Sequence, residues 1–230
     1  KMKFGVVVFP GSNCDMDMVS VLKNILGEEV VKLWHKDTDL QECDFIILPG
    51  GFSFGDYLRS GAIAKFSPIM KEIIGFANAG GFVMGICNGF QILCETGLLP
   101  GALLHNTNHK FICKNVHLKT ISEDTILTNL IGKKAIKIPI AHGEGRYFAD
   151  DKTIEDLENN NQILFKYCNE KGQVTRSSNP NGSIKNIAGV CNKDRNVFGM
   201  MPHPERASDI ELKSTNGRKL FESILSKVIA

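Results

Sequence analysis

The stretch that decides the fold is GFVMGICNGFQIL, residues 81–93. Its first half is short and apolar and follows two glycines, which is typical of a parallel strand buried on both faces. In its second half the apolar residues recur at helical spacing. Cys87 therefore lies at the point where a predicted strand ends and a predicted helix begins.

A cysteine at such a junction can act as a nucleophile. Glycines at positions 85 and 89 allow a sharp turn, which predicts that the side chain of Cys87 projects into solvent. The helix that follows directs its N-terminus at the sulfur, where backbone N–H groups and the helix dipole stabilise a thiolate or a developing oxyanion. A core thiol is the alternative interpretation, because free cysteines are among the most buried residues.

Length and composition bound the remaining possibilities. A chain of 230 residues with 43% hydrophobic content predicts one α/β domain over residues 1–230. The net charge of +2 is too small to predict binding to nucleic acid or to a membrane. The seven cysteines show no zinc-type spacing, so we expect reduced thiols, a cytoplasmic location and no metal site. No apolar run approaches the ~20 residues of a membrane-spanning helix.

Strands and helices alternate over the first hundred residues. The predicted strands cover residues 3–9, 30–34, 45–48 and 82–86, and the predicted helices cover 15–26 and 69–77. This alternation predicts a mostly parallel central sheet flanked by helices, a flavodoxin-like α/β fold. Sites in such sheets form at the carboxyl ends of the strands. We therefore expect loops 10–15 and 49–61 to share one edge with the Cys87 elbow.

The loop PGGFSFGDYLRSG, residues 49–61, follows the third strand. It lacks both Gly-x-Gly-x-x-Gly and the lysine of a P-loop, so a phosphate cradle is the weaker interpretation. Glycine allows a peptide N–H to approach a substrate oxygen without an intervening side chain. We therefore interpret Gly50–Gly51 as a source of backbone donors that face Cys87.

The second half of the chain has the pattern of antiparallel strands. Strands are predicted at residues 111–120 and 135–140, followed by a charged helix within 149–161. Residues 163–168 and 173–175 are predicted to form a hairpin, and 187–191 and 197–200 a second one. A final helix is predicted over 214–228.

The segment after the last predicted strand carries His203-Pro204-Glu205. The fixed φ of proline favours an extended backbone here, which places His203 and Glu205 on the same side. Together with a cysteine nucleophile, an imidazole base and a carboxylate that orients it supply the groups for acyl transfer. A surface histidine with a neighbouring glutamate is the alternative interpretation.

These residues resemble the class I, triad-type glutamine amidotransferases. The superfamily pattern is GICNGFQ at 85–91 with His-Pro-Glu at 203–205. The chain is most similar to the branch of glutaminase subunits of phosphoribosylformylglycinamidine synthase. The matches for that branch are VFPGSNCD at 8–15, the loop at 49–61, AHGEGRY at 141–147 and GMMPHPER at 199–206.

The resemblance implies a role for each matching residue. Cys87 attacks the side-chain amide carbon of glutamine, His203 transfers the protons, and Glu205 orients His203. Backbone N–H groups at Gly51 or Phe52 and at Asn88 hold the oxyanion, and one such donor is worth ~3 kcal/mol.

Other residues of the matching segments are assigned to substrate binding, to bracing or to partner contacts. Gln91, one helical turn after Cys87, and Gly50 are assigned to glutamine binding, with an exposed helix residue as the alternative for Gln91. Five polar residues are interpreted as partner-facing or as bracing, namely Asp56, Arg59, His142, Glu144 and Arg146. A solvated turn is the alternative for the last three.

The resemblance also implies partners. A large synthetase subunit carries ATP and Mg²⁺ and amidates formylglycinamide ribonucleotide with the ammonia, assisted by a small accessory subunit. No cofactor is expected in this chain. Three other functions stay open at this point: a glutaminase for anthranilate, GMP or carbamoyl phosphate synthesis, a reactive-cysteine sensor of the same fold, and a catalytically silent glutamine sensor.

Overall fold

The computed structural model describes residues 1–226, which form two compact units. The first unit contains Lys1–Leu99 and Asn196–Gly199, and the second contains Pro100–Arg195 and the chain from Met200. The prediction of one domain over residues 1–230 stays a prediction. No helix within the described part of the chain is long and apolar enough to cross a lipid bilayer.

The first unit is built on a sheet with the strand order β2-β1-β3-β4-β11. The pairs β1–β2, β1–β3 and β3–β4 are all parallel. The five strands are β1 (Lys3–Val8), β2 (Glu29–Trp34), β3 (Phe45–Leu48), β4 (Phe82–Ile86) and β11 (Val197–Met200). All four residues of β3 are buried, as expected for a central parallel strand.

Helices connect these strands. They are α1 (Asp15–Val19), which continues as a π-helix over Ser20–Ile25, α2 (Pro68–Asn78) and α3 (Asn88–Glu95). Helix α2 buries Ile69, Met70, Ile73 and Ala77 along one face. Burial of an isoleucine or methionine side chain stabilises the fold by about 1.5–3 kcal/mol relative to an exposed one, and burial of the alanine methyl group by less. The side chain of Asn196 donates to the carbonyls of Ala77 and Gly81, both at 2.8 Å, and so fixes the end of α2.

The second unit is antiparallel. Its main sheet has the order β10-β9-β6-β7, and β5 pairs with β8 in a small separate sheet. Its elements are β5 (Ala102–Leu104), β6 (Ile112–Thr120), β7 (Ile136–His142), β8 (Arg146–Phe148), α4 (Asp151–Asn159), β9 (Ile163–Cys168), β10 (Ile187–Cys191) and α5 (Arg218–Ser226). The predicted α/β class, with a mostly parallel sheet and antiparallel strands in the second half, is confirmed.

Three local predictions were wrong. Residues 173–175 do not pair with β9, because β9 already has β10 on one side and β6 on the other; the segment leads instead into a 3₁₀ turn at Arg176–Ser178. Strand β7 continues to His142, beyond the predicted end at 140. Helix α5 begins at Arg218 and not at 214, and residues 227–228 of the prediction lie outside the described residues.

Candidate active site

Cys87 occupies the single residue between β4 and α3. Its backbone dihedrals are φ 50° and ψ −106°, outside the regions that a residue with a side chain normally adopts. A conformation of this kind costs on the order of 1–3 kcal/mol and persists only where the surroundings enforce it. The strand-turn-helix geometry is the one that exposes a nucleophile to a reacting group in acyl-transfer enzymes.

The two glycines make this turn possible. A Cβ on Gly85 would lie 2.5 Å from the carbonyl group of Gly89, and a Cβ on Gly89 would lie 1.9 Å from the carbonyl oxygen of Leu48. The first turn of α3 is thus pressed against the backbone at the end of β3. Any side chain at position 89 would force the elbow away from the sheet, so the prediction that glycine is needed here has a direct steric reason.

The prediction that Cys87 projects into solvent was wrong, because the residue is only 5% exposed. Loop 49–61 lies over the start of α3. The N–H of Ser53 donates to Oδ1 of Asn88 at 3.2 Å, and Nδ2 of Asn88 donates to the carboxylate of Asp56 at 3.4 Å. The loop therefore contacts and covers Asn88, the residue next to the candidate nucleophile.

The first two loops meet at this edge as predicted. Ser12 and Gly51 form an isolated antiparallel bridge, and the N–H of Cys14 donates to the carbonyl of Gly50 at 3.3 Å. Gly51 has φ 139°, and a Cβ there would lie 2.7 Å from the backbone nitrogen of Asn13. Only glycine therefore fits at position 51 in this arrangement.

The two candidate oxyanion donors of this loop differ. The N–H of Phe52 donates to the carbonyl of Gly11 at 3.1 Å, which commits it within the loop in this conformation. The assignment of the Gly51 and Asn88 N–H groups to the oxyanion, and of Gly50 to the substrate, stays a prediction.

Gln91 is buried, with 6% of its surface exposed, so the alternative of an exposed helix residue was wrong. Its Oε1 accepts from Nδ2 of Asn88 at 2.9 Å. Its backbone N–H donates to the carbonyl of Cys87 at 3.1 Å. Gln91 thus lies directly one turn after the candidate nucleophile.

Arg59 braces the loop against the other end of α3. Its guanidinium contacts the carboxylate of Glu95 twice, at 2.6 Å through Nε and 2.8 Å through a terminal nitrogen. Planar two-point pairing of this kind restricts geometry more than a single contact does. With Asp56 bound to Asn88, loop 49–61 is attached to both ends of α3. The bracing interpretation of Asp56 and Arg59 therefore has direct contacts behind it.

His203 and Glu205 form a buried pair in the second unit. Nδ1 of His203 lies 2.6 Å from Oε1 of Glu205, and the two residues are 2% and 1% exposed. Since the carboxylate accepts from Nδ1–H, the neutral ring carries its lone pair on Nε2, the atom suited to take a proton. The alternative of a surface histidine with a neighbouring glutamate was wrong.

The backbone of this pair is not extended as predicted. Pro204 begins a 3₁₀ turn, Pro204–Ala207, and the turn brings the carboxylate back to the ring. The N–H of His203 donates to the carbonyl of Pro139 in β7 at 2.9 Å. A Cβ on Gly217 would lie 2.1 Å from the carbonyl oxygen of Pro204, so the start of α5 closes tightly over the turn.

His142 lies at the end of β7, in the inward row of Ile136, Ile138 and Ile140. Its ring is 2% exposed, and its Nδ1 lies 3.1 Å from Oδ1 of Asn106. Burial, and secondarily the nearby charge of His203, lower the pKa of His142 to about 4. His142 is therefore neutral at physiological pH, and the interpretation of a solvated turn was wrong for it.

Glu144 and Arg146 are arranged around His105. Nε2 of His105 lies 3.5 Å from Oε1 of Glu144, and Nε of Arg146 donates to the carbonyl of His105 at 2.9 Å. These contacts join segment 142–146 to His105, and the predicted role of the two residues in bracing the site stays a prediction. Their predicted role in facing a partner stays a prediction.

Sequence reasoning missed the residues that organise this segment. Asn106 is fully buried; its Nδ2 donates to the carbonyls of Lys110 and His142, both at 2.8 Å. Asn181 donates to the carbonyl of Gly145 at 2.8 Å. Neither position has a signal in the sequence, because asparagines in polar stretches normally mark exposed turns.

Cys87 thus lies in the first unit with its loop, and the His203–Glu205 pair lies in the second unit with His142. The structure brings the residues of each group together. That the two groups act on one substrate stays a prediction.

The comparisons with known proteins support the same chemistry. The model of a CobB/CobQ-like glutamine amidotransferase domain matches residues 1–225. A Koribacter versatilis protein named phosphoribosylformylglycinamidine synthase subunit PurQ is 55% identical over 225 residues, 97% of each chain. A Synechocystis protein of the same name is 56% identical over 96% of this chain and 99% of its own.

A solved structure agrees with these relatives. A chain of the PurLQS structure from Thermotoga maritima superimposes with a TM-score of 0.87 at 45% sequence identity, covering 99% of both chains. The resemblance predicted from the Cys87 and His203 motifs is confirmed. The chain belongs to the family of CobB/CobQ-like glutamine amidotransferase domains.

Proposed function

We propose that this chain is the glutaminase subunit of phosphoribosylformylglycinamidine synthase. It hydrolyses L-glutamine to glutamate and ammonia and supplies the ammonia for the conversion of formylglycinamide ribonucleotide to formylglycinamidine ribonucleotide in purine biosynthesis. The observation that carries the chemistry is the strained backbone of Cys87 at the start of α3, held between two glycines that admit no side chain. The relatives that bear this enzyme's name match almost the whole chain and support the choice of reaction.

In the first half-reaction, the sulfur of Cys87 forms a bond with the side-chain amide carbon of glutamine, and His203 accepts the thiol proton at Nε2. The resulting oxyanion is held by backbone N–H groups at the elbow, with Gly51 and Asn88 as the candidates. The C–N bond then breaks while His203 returns its proton to the leaving nitrogen. The products of this step are ammonia and a γ-glutamyl thioester on Cys87.

In the second half-reaction, water replaces the amine. His203 removes a proton from water as the new C–O bond forms at the thioester carbon, and collapse of the oxyanion breaks the C–S bond. The proton returns to the sulfur, and glutamate leaves. Glu205 holds Nδ1–H of His203 at 2.6 Å and stabilises the imidazolium in both halves of the cycle without accepting the proton itself.

The ammonia needs an acceptor close by, because in neutral water it is converted largely to ammonium, which is not a nucleophile. The similar Thermotoga maritima chain was solved as part of PurLQS. We infer that this chain likewise works with a large synthetase subunit, which binds ATP, Mg²⁺ and the ribonucleotide, and with a small accessory subunit. We propose the cytoplasm as its location.

The test uses the complex reconstituted with the synthetase and accessory subunits. Cys87→Ala is expected to abolish glutamine-dependent formation of formylglycinamidine ribonucleotide and to leave ammonia-dependent formation intact. Cys113→Ser, which changes an exposed thiol, is the matched control and is expected to keep both activities. Glutamine-dependent activity that survives Cys87→Ala would refute the nucleophile, and a wild-type complex that uses only ammonia would refute the glutaminase role.

A further inference from the structure

We propose that the side chain of Asn88 is a positioning residue that decides which end of the Gln91 amide is presented to glutamine and that couples this choice to loop 49–61. The inference rests on the proposed function and adds a role for an amide that no part of the acyl-transfer chemistry uses. It concerns the side chain of Asn88 only, since its backbone N–H is the candidate oxyanion donor.

The contacts of Asn88 define its orientation. The side chain is 1% exposed and follows Cys87 directly. The N–H of Ser53 can only donate, so the atom that it meets at 3.2 Å is the acceptor Oδ1. The amino group Nδ2 must then face the other two contacts, the carboxylate of Asp56 at 3.4 Å and the amide of Gln91 at 2.9 Å. A carboxylate accepts only, and its position beside Nδ2 agrees with this assignment.

The orientation of Asn88 in turn fixes that of Gln91. An amino group needs an acceptor, so Gln91 turns its Oε1 to Asn88 and its NH₂ group away from it. Three donor–acceptor pairs are therefore correlated, from the loop backbone through Asn88 to Gln91. Reversing one amide in this buried set would place oxygen against oxygen or NH against NH, which is costly where water cannot compensate.

This polarity matters for the substrate. Gln91 is buried one turn after Cys87, and the NH₂ group is the end of its amide that can bind the carboxylate or the amide oxygen of glutamine, both of which are acceptors. A reversed Gln91 would present an oxygen to those oxygens. Sites that bind a ligand through buried polar groups discriminate strongly when one group is mismatched. Asn88 thus sets the donor that glutamine meets, while its contacts to Ser53 and Asp56 hold the loop that carries Gly51.

The decisive variant is Asn88→Asp, which keeps the shape and the acceptor for Ser53 but replaces Nδ2 with an oxygen. The new carboxylate faces that of Asp56 and forces Gln91 to donate to it, so the amide of Gln91 reverses. We expect a lower thermal midpoint and a KM for glutamine raised about tenfold or more, with a smaller change in kcat.

A second variant separates positioning from mere structural support. In Asn88→Asp combined with Asp56→Asn, the amide at position 56 donates to the new carboxylate, so the repulsion disappears. Gln91 must still donate to position 88 and stays reversed. We expect the thermal midpoint to return towards the wild-type value while the KM for glutamine remains high. The single variant Asp56→Asn measures how much the contact between Asp56 and Asn88 contributes to the thermal midpoint and to the KM for glutamine.

The assay measures glutamine hydrolysis by the full chain within the reconstituted complex, with ammonia-dependent synthesis as the internal control for assembly. A double variant that recovers stability and KM together would overturn the role of Asn88, because only packing would then have been restored. Unchanged KM in Asn88→Asp would overturn it as well. Absence of glutamine hydrolysis by the wild-type complex would instead refute the proposed function, so the two failures are distinguishable.

Discussion

Acid should destabilise this protein through one identifiable group, His142. Its ring is buried in the second unit, and the pKa is lowered from its ordinary 6.5 to about 4, first by burial and then by the charge of His203. The folded state therefore holds the neutral ring, whereas the unfolded chain binds a proton near pH 6.5. Stability from this group is present above pH 6.5 and is lost as the pH falls towards 4.

The magnitude follows from the two pKa values. One pKa unit corresponds to about 1.4 kcal/mol, so the shift from 6.5 to about 4 amounts to about 3 kcal/mol once the pH is below both values. Between pH 7 and pH 5, over which more than half of this change takes place, the loss is about 2 kcal/mol. A change of this size is a large fraction of the 5–15 kcal/mol typical of a folded domain.

The assay is urea unfolding at a series of pH values between 7 and 4.5, for wild type and His142→Gln. Glutamine can donate to Oδ1 of Asn106 as the ring does at 3.1 Å, but it does not titrate. The difference between the two pH profiles removes the contribution of all other groups. We expect the variant to be less stable at pH 7 and to lose about 2 kcal/mol less between pH 7 and 5.

His109→Asn, which removes an exposed histidine, is the matched control and is expected to follow the wild-type profile. Parallel profiles for wild type and His142→Gln would contradict the argument, because a buried neutral imidazole must take up a proton when the chain unfolds in acid. Such a result would mean that the ring is already protonated or solvated in the folded state.

Three further outcomes are expected from other parts of the structure. Gly89→Ala should abolish stable folding or shift the elbow, since its Cβ would lie 1.9 Å from the carbonyl oxygen of Leu48; a soluble variant with wild-type thermal midpoint would rule out this packing. His203→Ala should lower the rate of glutamine hydrolysis more than Glu205→Gln does, because the base is lost rather than its orientation; steady-state kinetics decides, and wild-type rates for both would exclude the pair from catalysis. Asp150→Ala removes the N-cap of α4, whose Oδ1 accepts from the N–H of Thr153 at 2.7 Å, and should lower the free energy of unfolding by about 1 kcal/mol; no change in urea unfolding would contradict the capping role.

Local structure could be predicted from the sequence where the residue type allows few backbone conformations. The apolar run before Cys87, the glycines on either side of it and the turn residues after β3 predicted the elbow and its loops, because backbone sterics act over neighbouring positions. The family resemblance was predicted from short motifs, and it is confirmed by a family model that matches residues 1–225 and by relatives that are similar over almost the whole chain.

Polar contacts between distant segments could not be predicted from the sequence in this way. The hydrogen bonds that Asn106 donates to β7 and Asn88 donates to Asp56 join positions that are far apart in sequence, and the sequence does not distinguish an asparagine in a turn from one in a core. The prediction that Cys87 is exposed failed for the same reason. Whether a residue is covered depends on which distant segments pack around it, and short-range periodicity does not encode that packing.

The amino-acid sequence by itself determined the class of fold, the family and the candidate nucleophile, base and orienting carboxylate, since these depend on residue identity and on short-range periodicity. Only the tertiary structure decided that Gln91 is buried with a defined amide orientation, that Arg59 braces α3, and that His142 is held neutral. These properties arise from burial and from donor–acceptor matching between distant segments, which become defined only when the chain has folded.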